Sequence, residues 1–505
     1  MGIPYYFFHL TKKYKNIILS KLPTDIYIYA IDFNGIIHPE AHKLLKSGTM
    51  DKQLLFKNLW NKILNYSETY KPIKTLICID GVAPLAKIIQ QRKRRYLSIF
   101  KNKIDSLEVK WDTNAISTGT EFMNDLDEYL QTKIKEEKKD TFIFDGSKNK
   151  GEGEHKIFTH FNNLISSHHS NEPNLIINGL DADLIILSLM SGIPNIYLMR
   201  ENNDDVTYVS INNLKQALLN ELKHRWTFID NDKDIIESYC VMCSILGNDF
   251  IPHILSLNIK SGGVNTLIDI TTNALKEHQT LVSNGKINKD CLTAIFSEIG
   301  LSEETEIIKE VSKFIHRKPS DFTLKSQEYG IKNKDELLHE IYINNKKWRY
   351  NYYKSLFDIN INFDSSLISV LVASYIKGIY WTYNYYKKFD LDYEWFYTYN
   401  YPPSARDISN YLKVNDIPKI EKNGDYLKPE MQLLLILPIQ SNHLLDFNKK
   451  LKNLTIDDKK GLTYLYPNDF KIQTFLKTQL HECCPVLPMI NLRKIQFLES
   501  LESLE

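Results

Sequence analysis

Seven carboxylates stand in five short stretches of the chain: Asp32 in IDFNGIIH, Asp80 in CIDGVAP, Glu152 and Glu154 in GEGEHK, Asp181 and Asp183 in GLDADL, and Asp249 in LGNDFIPH. Carboxylates gathered in one cleft repel one another, and hard divalent cations that accept oxygen ligands relieve the repulsion. Mg²⁺ or Mn²⁺ is therefore the expected cofactor. The pairs spaced two apart, Glu152/Glu154 and Asp181/Asp183, open the runs HKIFTHF and LIILSLM, which read as helices, so neighbouring carboxylates can address two ions. Two ions roughly 3.5–4 Å apart can activate a water, orient it and neutralise the leaving oxygen of a phosphodiester. Any one of these acids alone is more simply an N-cap or a solvated turn residue. Seven of them at strand ends and helix starts favour a metal cluster.

The run KIIQQRKRRY places Lys87, Gln91, Arg94 and Arg95 at i, i+4, i+7 and i+8, on one face of a helix. A planar guanidinium makes paired hydrogen bonds to phosphate oxygens and lysine supplies a point charge, so this face suits a terminal phosphate. A charge run is more often a solvated helix face. Position argues otherwise here, because the helix begins just after Asp80 and so beside the acidic cleft. Ser117 and His155 lie near these motifs, but no nucleophile, base and orienter set is visible, and no covalent intermediate is expected.

The elements that must hold these residues read as α/β in the first half: a mostly parallel central sheet with flanking helices, followed by a mainly helical second module. Strands are expected over 25–31, 74–79, 141–144, 174–177 and 195–199, several ending on or just before Asp32, Asp80, Asp145 and Asp181. The carboxyl ends of parallel strands form the ligand crevice of an open sheet, so recurrent acids there are placed for chemistry. Residues 260–350 turn polar, with helical spacing over 303–316 and 334–342. Residues 367–386 are apolar and aromatic at helical period, and the aromatic run 393–403 stops at Pro-Pro. These shifts divide the chain into 1–265 (catalytic core), 266–350 (variable helical connector) and 351–505 (helical module covering the site).

The chain has 505 residues, too many for one ordinary domain. Hydrophobic residues at 43% and charged residues at 25% exclude a disordered, fibrous or collagen-like protein. Lys+Arg 63 against Asp+Glu 62 leaves a net charge of +1, so nucleic-acid binding must come from local patches. The cysteines are sparse and irregular, which favours a reducing compartment. Cys240 and Cys243 form one C-x-x-C that only His481, Cys483 and Cys484 could complete as a zinc site; buried thiols are the expected reading. The opening MGIPYYFFHL is too short for a secretion signal, Tyr6 occupies the Ser/Thr position of a myristoylation motif, and no apolar run approaches the ~20 residues that span a bilayer. A soluble intracellular protein is expected.

MGIPYYFFHL, DFNGIIH, IDGVAPLAKIIQQRKRRY, NAISTGTEFM, GEGEHK, GLDADLI and GNDFIPH, in this order, resemble the conserved blocks of the XRN family of 5′→3′ exoribonucleases. YEWFYTYNYPPSARDI and LLLILP resemble that family's second conserved region, so the resemblance runs nearly end to end. It implies a PIN/FEN-like nuclease core in which Asp32, Asp80, Glu152, Glu154, Asp181, Asp183 and Asp249 bind two divalent ions. It also implies a 5′-monophosphate pocket of Lys87, Gln91, Arg94 and Arg95, and base stacking by His38 and Trp395. Such a pocket is too small for a cap or a triphosphate, and stacking tolerates any base. Without the family, His38 and Trp395 would read as core residues.

The function so implied is processive 5′→3′ hydrolysis of 5′-monophosphorylated single-stranded RNA to 5′-mononucleotides in mRNA decay, by a monomer acting after a decapping factor. A flap-type endonuclease is disfavoured because FIPHILSLNIKSGG replaces the Gly-rich helix-hairpin-helix that follows the last acid in that class. An inactive RNA-binding scaffold is disfavoured because all seven acids are present. Cellular XRN members are much longer, and cytoplasmic ones add small β-rich domains, so this is a compact form; the loop after His38 (PEAHKLLK) is also abbreviated. With no zinc knuckle and no basic import cluster, cytoplasm is favoured over nucleus, and the Lys/Asn/Ile-rich composition suits a large DNA virus or an AT-rich protist.

Overall fold

A computed structural model describes residues 3, 5–22, 28–48, 50–105, 110–137, 140–166, 174–179, 181–202, 205–316, 348–388, 390–457, 462–495 and 497. The chain forms two compact units, each assembled from separate stretches. A sheet unit takes Lys15–Leu214, Gly424–Phe470 and Leu487–Glu505, and a helical unit takes Met1–Tyr14, Lys215–Asn423 and Lys471–Val486.

In the sheet unit, β1 (Ile18–Leu19), β2 (Ile28–Asp32), β3 (Lys74–Cys78), β4 (Phe142–Asp145), β5 (Leu175–Asn178), β6 (Ile196–Asn202) and β7 (Asp205–Ser210) lie in the order β1-β7-β6-β5-β2-β3-β4. The β6-β5-β2-β3-β4 pairings are parallel, and β7 runs antiparallel to β6 and β1. The central strands are near-continuous apolar runs, IYAID and KTLIC among them, as parallel strands covered on both faces must be. From β2 the chain builds outward to β3 and β4, then reverses to β5 and β6, so the switch point of the sheet lies between β2 and β5. The register sets Asp32 opposite Cys78, Cys78 opposite Asp145, and Ile31 opposite Asn178, which levels four carboxyl ends.

Helices Asn34–Lys46, Lys52–Tyr70 and Glu121–Glu136 contribute to the core beside the sheet, around Tyr29, Ile31, Phe56, Leu59, Trp60, Ile63, Met123 and Leu126. Asp51 caps the second of these helices by accepting from the backbone N–H groups of Gln53 and Leu54. The expected loop after His38 is instead helix, with Pro39 inside Asn34–Lys46; buried Ala41 and Leu44 give that stretch an apolar side to pack. Two strands of this sheet escape the sequence reading. β1 has only two residues, and β7 follows the polar run Asn202, Asn203, Asp204, Asp205, which masks its alternation. Residues 25–27 of the first expected strand lie outside the described residues, as does the expected helix over 334–342.

The helical unit includes helices Tyr6–Lys13, Asp232–Ser244, Gly263–His278, Lys289–Ile315, Trp348–Phe357, Ser365–Lys387 and Ala405–Val414. Its buried Glu237 accepts from Tyr383 Oη at 2.6 Å and pairs with Lys387 Nζ at 2.9 Å, joining the Asp232–Ser244 and Ser365–Lys387 helices. Cys240 and Cys243 are buried free thiols on the same helix, and burial pushes Cys243 up to about 12. Among the described residues no helix is long and apolar enough to cross a membrane.

Glu237→Ala deprives Lys387 and Tyr383 of a buried carboxylate, a class of change that destabilises by about 3–5 kcal/mol. A lowered urea midpoint in tryptophan fluorescence is the expected outcome. Wild-type stability in the variant would mean that the pair contributes nothing net.

Candidate active site

Asp32 ends β2, where its neighbour Phe33 donates its backbone N–H to Cys78 O at 2.9 Å. Asp80 lies two residues beyond β3. Its own N–H donates to Asn34 Oδ1 at 3.1 Å, and its carbonyl accepts from Thr118 Oγ1 at 2.9 Å. The GEGE turn comes up against both acids. Gly153 opens helix Gly153–Ser166 and donates its N–H to Asp80 Oδ1 at 2.8 Å. A Cβ there would stand 2.8 Å from Asp32 Oδ1 and 3.0 Å from Cys78 O, so no larger residue fits without moving the site. Glu152 and Glu154 flank that glycine and are buried. A Cβ on Gly179 would stand 2.4 Å from Leu184 Cδ1 and 3.5 Å from the Asp32 Cβ, so the loop after β5 passes close to β2. Asp183, buried, starts helix Asp183–Ser191, while Asp181 is exposed.

These acids sense one another. Burial raises Asp32 well above the usual carboxylate range; Asp80 and Asp181 add to the rise, Lys87 opposes it, and Glu152 contributes. Burial likewise raises Glu154, with Lys87 opposing and Glu152, Asp183 and Asp32 reinforcing. Six of the seven expected acids are therefore brought together in the sheet unit. Lys87 Nζ lies 2.6 Å from Glu152 Oε2, so this member of the expected phosphate face is also the counter-charge of the acids. Among the described residues no group of three or more His, Cys, Asp or Glu side chains is arranged to hold a metal ion as it stands. The donor set is nonetheless all oxygen and crowded, which fits a hard divalent cation.

Asp249, the seventh acid, belongs to the helical unit. It is half-buried in a turn where Asn248 Oδ1 accepts from the N–H groups of Phe250 (2.8 Å) and Ile251 (3.0 Å), and Gly247 takes φ +85°. Trp395, in the same unit, is 8% exposed. Its ring centroid lies 5.2 Å from that of Trp381, and it packs on Gly378, where a Cβ would come within 2.9 Å of the indole.

The basic helix, Leu85–Ile104, splits its cations between two tasks. Arg92 is buried and donates to the carbonyls of Pro488, at 2.9 Å, and Leu465, which makes it an anchor. Arg95 donates through Nη2 to Ser117 Oγ at 2.6 Å and through Nη1 to Gln91 O at 3.3 Å; its buried Nε–H has no partner among the described residues. Arg94 is exposed and Gln91 half-buried. His38 is lowered to about 4 by burial, helped by the charges of Arg94, Arg95 and His42, so its ring is neutral at pH 7 and near the arginine face.

Three contributors are illegible in the sequence. Lys156 is buried, donates to Ile79 O and Gly146 O at 2.8 Å each, and lies 3.0 Å from Asp145 Oδ1, fastening the ends of β3 and β4. Asp145 is committed to this clamp: burial would raise it, but bonds from His160, Lys156 and Asn149 hold it at about 2. Gln432 accepts from the Ala83 N–H at 2.8 Å, steadying the loop after Asp80 from more than three hundred residues away. Ser117 orients Arg95. Only its nearness to the motifs hinted at this.

The family model for the XRN 5'-3' exonuclease N-terminus matches residues 1–202, and that for the Xrn1 helical domain matches 229–336 and 316–505. The chain is 26% identical over 597 aligned residues to human "5'-3' exoribonuclease 1", covering 100% of this chain and 34% of that protein. It is 22% identical over 666 residues to chicken "5'-3' exoribonuclease 2", covering 98% of this chain and 69% of the relative. It is 30% identical over 403 residues to "5'-3' exoribonuclease 2" of Eremothecium gossypii, covering 61% of this chain and 42% of the relative. The chain thus spans about a third of the human relative's length.

A folded-state pKa above the unfolded value means that the folded protein binds more protons, so stability is full below the unfolded pKa and falls as pH rises through the folded one. Asp32 and Glu154 both have raised values. Without metal, the contribution of these two groups to the melting temperature is therefore expected to fall as pH rises above about 4, and the difference between wild type and Asp32→Asn should show that fall. Added Mg²⁺ should raise the melting temperature of the wild type far more than that of Asp32→Asn. Equal Mg²⁺ shifts in both would remove Asp32 from the ion site.

Proposed function

The chain belongs to the XRN 5′-3′ exonuclease family, and from that premise we propose that it is a processive 5′→3′ exoribonuclease that converts 5′-monophosphorylated RNA to 5′-mononucleotides. The observation that carries the reading is the convergence, in one unit, of six mutually repelling carboxylates with a helix whose Arg95 Nε–H has no partner among the described residues.

In this reading Arg94, Arg95 and Gln91 hold the 5′-terminal phosphate, and Lys87 lies between that phosphate and the acids. Lys87 is already paired with Glu152, so it can balance charge in the cleft whichever anion is present. Neutral His38 offers its π-face to the first base without adding a charge that would compete for phosphate. Trp395 is assigned the partner face from the family pattern. Asp32, Asp80, Glu152, Glu154, Asp181 and Asp183, with Asp249 by the same pattern, are the residues that would hold two Mg²⁺ or Mn²⁺ ions. When bound, such ions supply water activation and neutralise charge on the leaving oxygen. The chain's own part is to fix the acids: the Gly153 N–H orients Asp80, and the Lys156 clamp keeps β3 and β4 from spreading. Hydrolysis leaves a new 5′-monophosphate, so the same contacts re-form after each advance. The setting implied is a cytoplasmic monomer in mRNA turnover, acting on single-stranded RNA released by a decapping factor.

The test uses 3′-labelled RNA carrying a 5′-monophosphate, a 5′-hydroxyl or a 5′-triphosphate, with Mg²⁺. Selective loss of the monophosphate form with 5′-mononucleotides as product is expected; internal cuts regardless of the end would indicate an endonuclease, and binding without cleavage a scaffold. Arg94→Ala combined with Arg95→Ala should erase the end preference, a loss of about 100-fold if two charge-assisted hydrogen bonds go. His38→Ala and Trp395→Ala should shorten processive runs more than they slow single-nucleotide removal, whereas His38→Phe keeps a stacking face and should retain them. Equal losses in both assays would return these two rings to core packing.

A further inference from the structure

Residues 115–120, which follow Asn114 in the NAISTGT block, are all buried, and Ser117 and Thr118 reach in opposite directions from adjacent positions. Ser117 Oγ donates its single proton to Asn114 O at 2.6 Å, which leaves its lone pairs to accept from Arg95 Nη2, also at 2.6 Å. Thr118 Oγ1 donates to Asp80 O at 2.9 Å, with Gly81 O at 3.1 Å as the alternative. One residue thus grips a cation of the proposed phosphate face, and the next grips the backbone of a proposed metal ligand.

The segment is fastened against sliding. Asn114 Nδ2 donates to Ser441 Oγ at 2.9 Å. Gly119 has φ +92°, and a Cβ there would lie 2.7 Å from Pro429 O, so the backbone is pressed against helix Pro429–Ile436 where only glycine fits. Thr120 Oγ1 donates to Ala115 O at 2.6 Å and caps helix Glu121–Glu136 by accepting from the Met123 N–H. Every turn of the loop is closed by its own hydrogen bonds.

We propose that Ser117 and Thr118 act as a fixed gauge between the end-reading cation and the acids: Ser117 is a positioning residue that orients Arg95 toward the 5′-terminal phosphate, and Thr118 holds Asp80 at a set distance from it. The inference rests on the function proposed above. Ser117 holds one arm of the Arg95 guanidinium and Gln91 O another, which leaves the Nε–H for an anion. Without Ser117 the fork is free to turn, and the phosphate meets a point charge instead of an oriented donor set. Without the Thr118 hydroxyl the Arg95 side is untouched, and the Asp80 carbonyl loses its tie.

The two variants should therefore fail differently. Ser117→Ala should lower the preference for 5′-monophosphate over 5′-hydroxyl RNA about tenfold, mainly through KM, the usual scale for one charge-assisted hydrogen bond. Thr118→Val should lower kcat while the preference ratio is kept. On an Arg95→Ala background, Ser117→Ala should change the ratio no further. If Ser117→Ala does not fold, Ser117→Cys, of similar size but a weak acceptor, carries the same test. An unchanged ratio in the Ser117 variant, or the same loss of KM and kcat in both variants, overturns the gauge. A wild type with no end preference overturns the reading on which the gauge rests, so the two failures are told apart by the wild-type reaction alone.

Discussion

Repulsion among buried carboxylates is the constraint around which the sheet unit is arranged. Parallel strands bring their carboxyl ends to one level, and here those ends and the loops beyond them carry acids. Left to themselves such groups would take up protons or spread the strands apart. The fold opposes both outcomes. Lys87 places an ammonium 2.6 Å from Glu152, the Gly153 N–H donates to Asp80 at a helix N-terminus, and Lys156 ties the backbone of β3 to that of the β4 loop. Burial, together with the repulsion that remains, still holds Asp32 and Glu154 above the usual carboxylate range.

Much of this was legible in the sequence because each acid sits in a motif whose neighbours dictate its local structure. Apolar runs ending in Asp give strand ends, Glu-Gly-Glu before an amphipathic run gives a helix start, and these features suffice for the five parallel strands and for the positions of six of the acids. What was not legible involves backbone partners. Lys156 bonds to two carbonyls that any sequence would supply, and Gln432 meets an N–H from a distant block. Arg92 and Arg95 belong to the same charge run, yet one anchors buried carbonyls and the other meets Ser117. At i and i+3 they are neighbours on the helix, and only the packing says which of them turns to the buried carbonyls and which to Ser117. The family resemblance leads to the expectation of a loop after His38; the segment is helix because Ala41 and Leu44 pack inside, even though Pro39 removes one backbone hydrogen bond and crowds the carbonyl of Gly35.

Several cations of the sheet unit answer internal needs: Lys87 faces Glu152, Lys156 faces Asp145, and Arg92 faces two carbonyls. Arg94 and part of Arg95 remain to meet an anion from outside. A protein that binds phosphate through a few oriented guanidinium donors needs no global positive field, because geometry supplies the discrimination that bulk charge cannot. A strongly basic surface would attract every phosphate along an RNA equally. In the proposed reading, a small, fixed arginine face beside a crowded acidic cleft is what distinguishes the terminal phosphate from the rest.

That distinction depends on rigidity more than on charge. A guanidinium free to rotate offers a terminal monoester and an internal phosphodiester the same point charge and can favour the monoester only through its extra negative charge. Once Ser117 and Gln91 O each hold one nitrogen, the direction of the remaining donors is set. The loop that sets it is buried, glycine-locked against Pro429 and tied at its next residue to the Asp80 backbone. A displacement at the arginine is thereby transmitted to the acids through one peptide unit. In this fold the orientation of Arg95 and the placement of the Asp80 backbone rest on adjacent residues of one buried loop, which is why residues with no chemistry of their own lie at its centre.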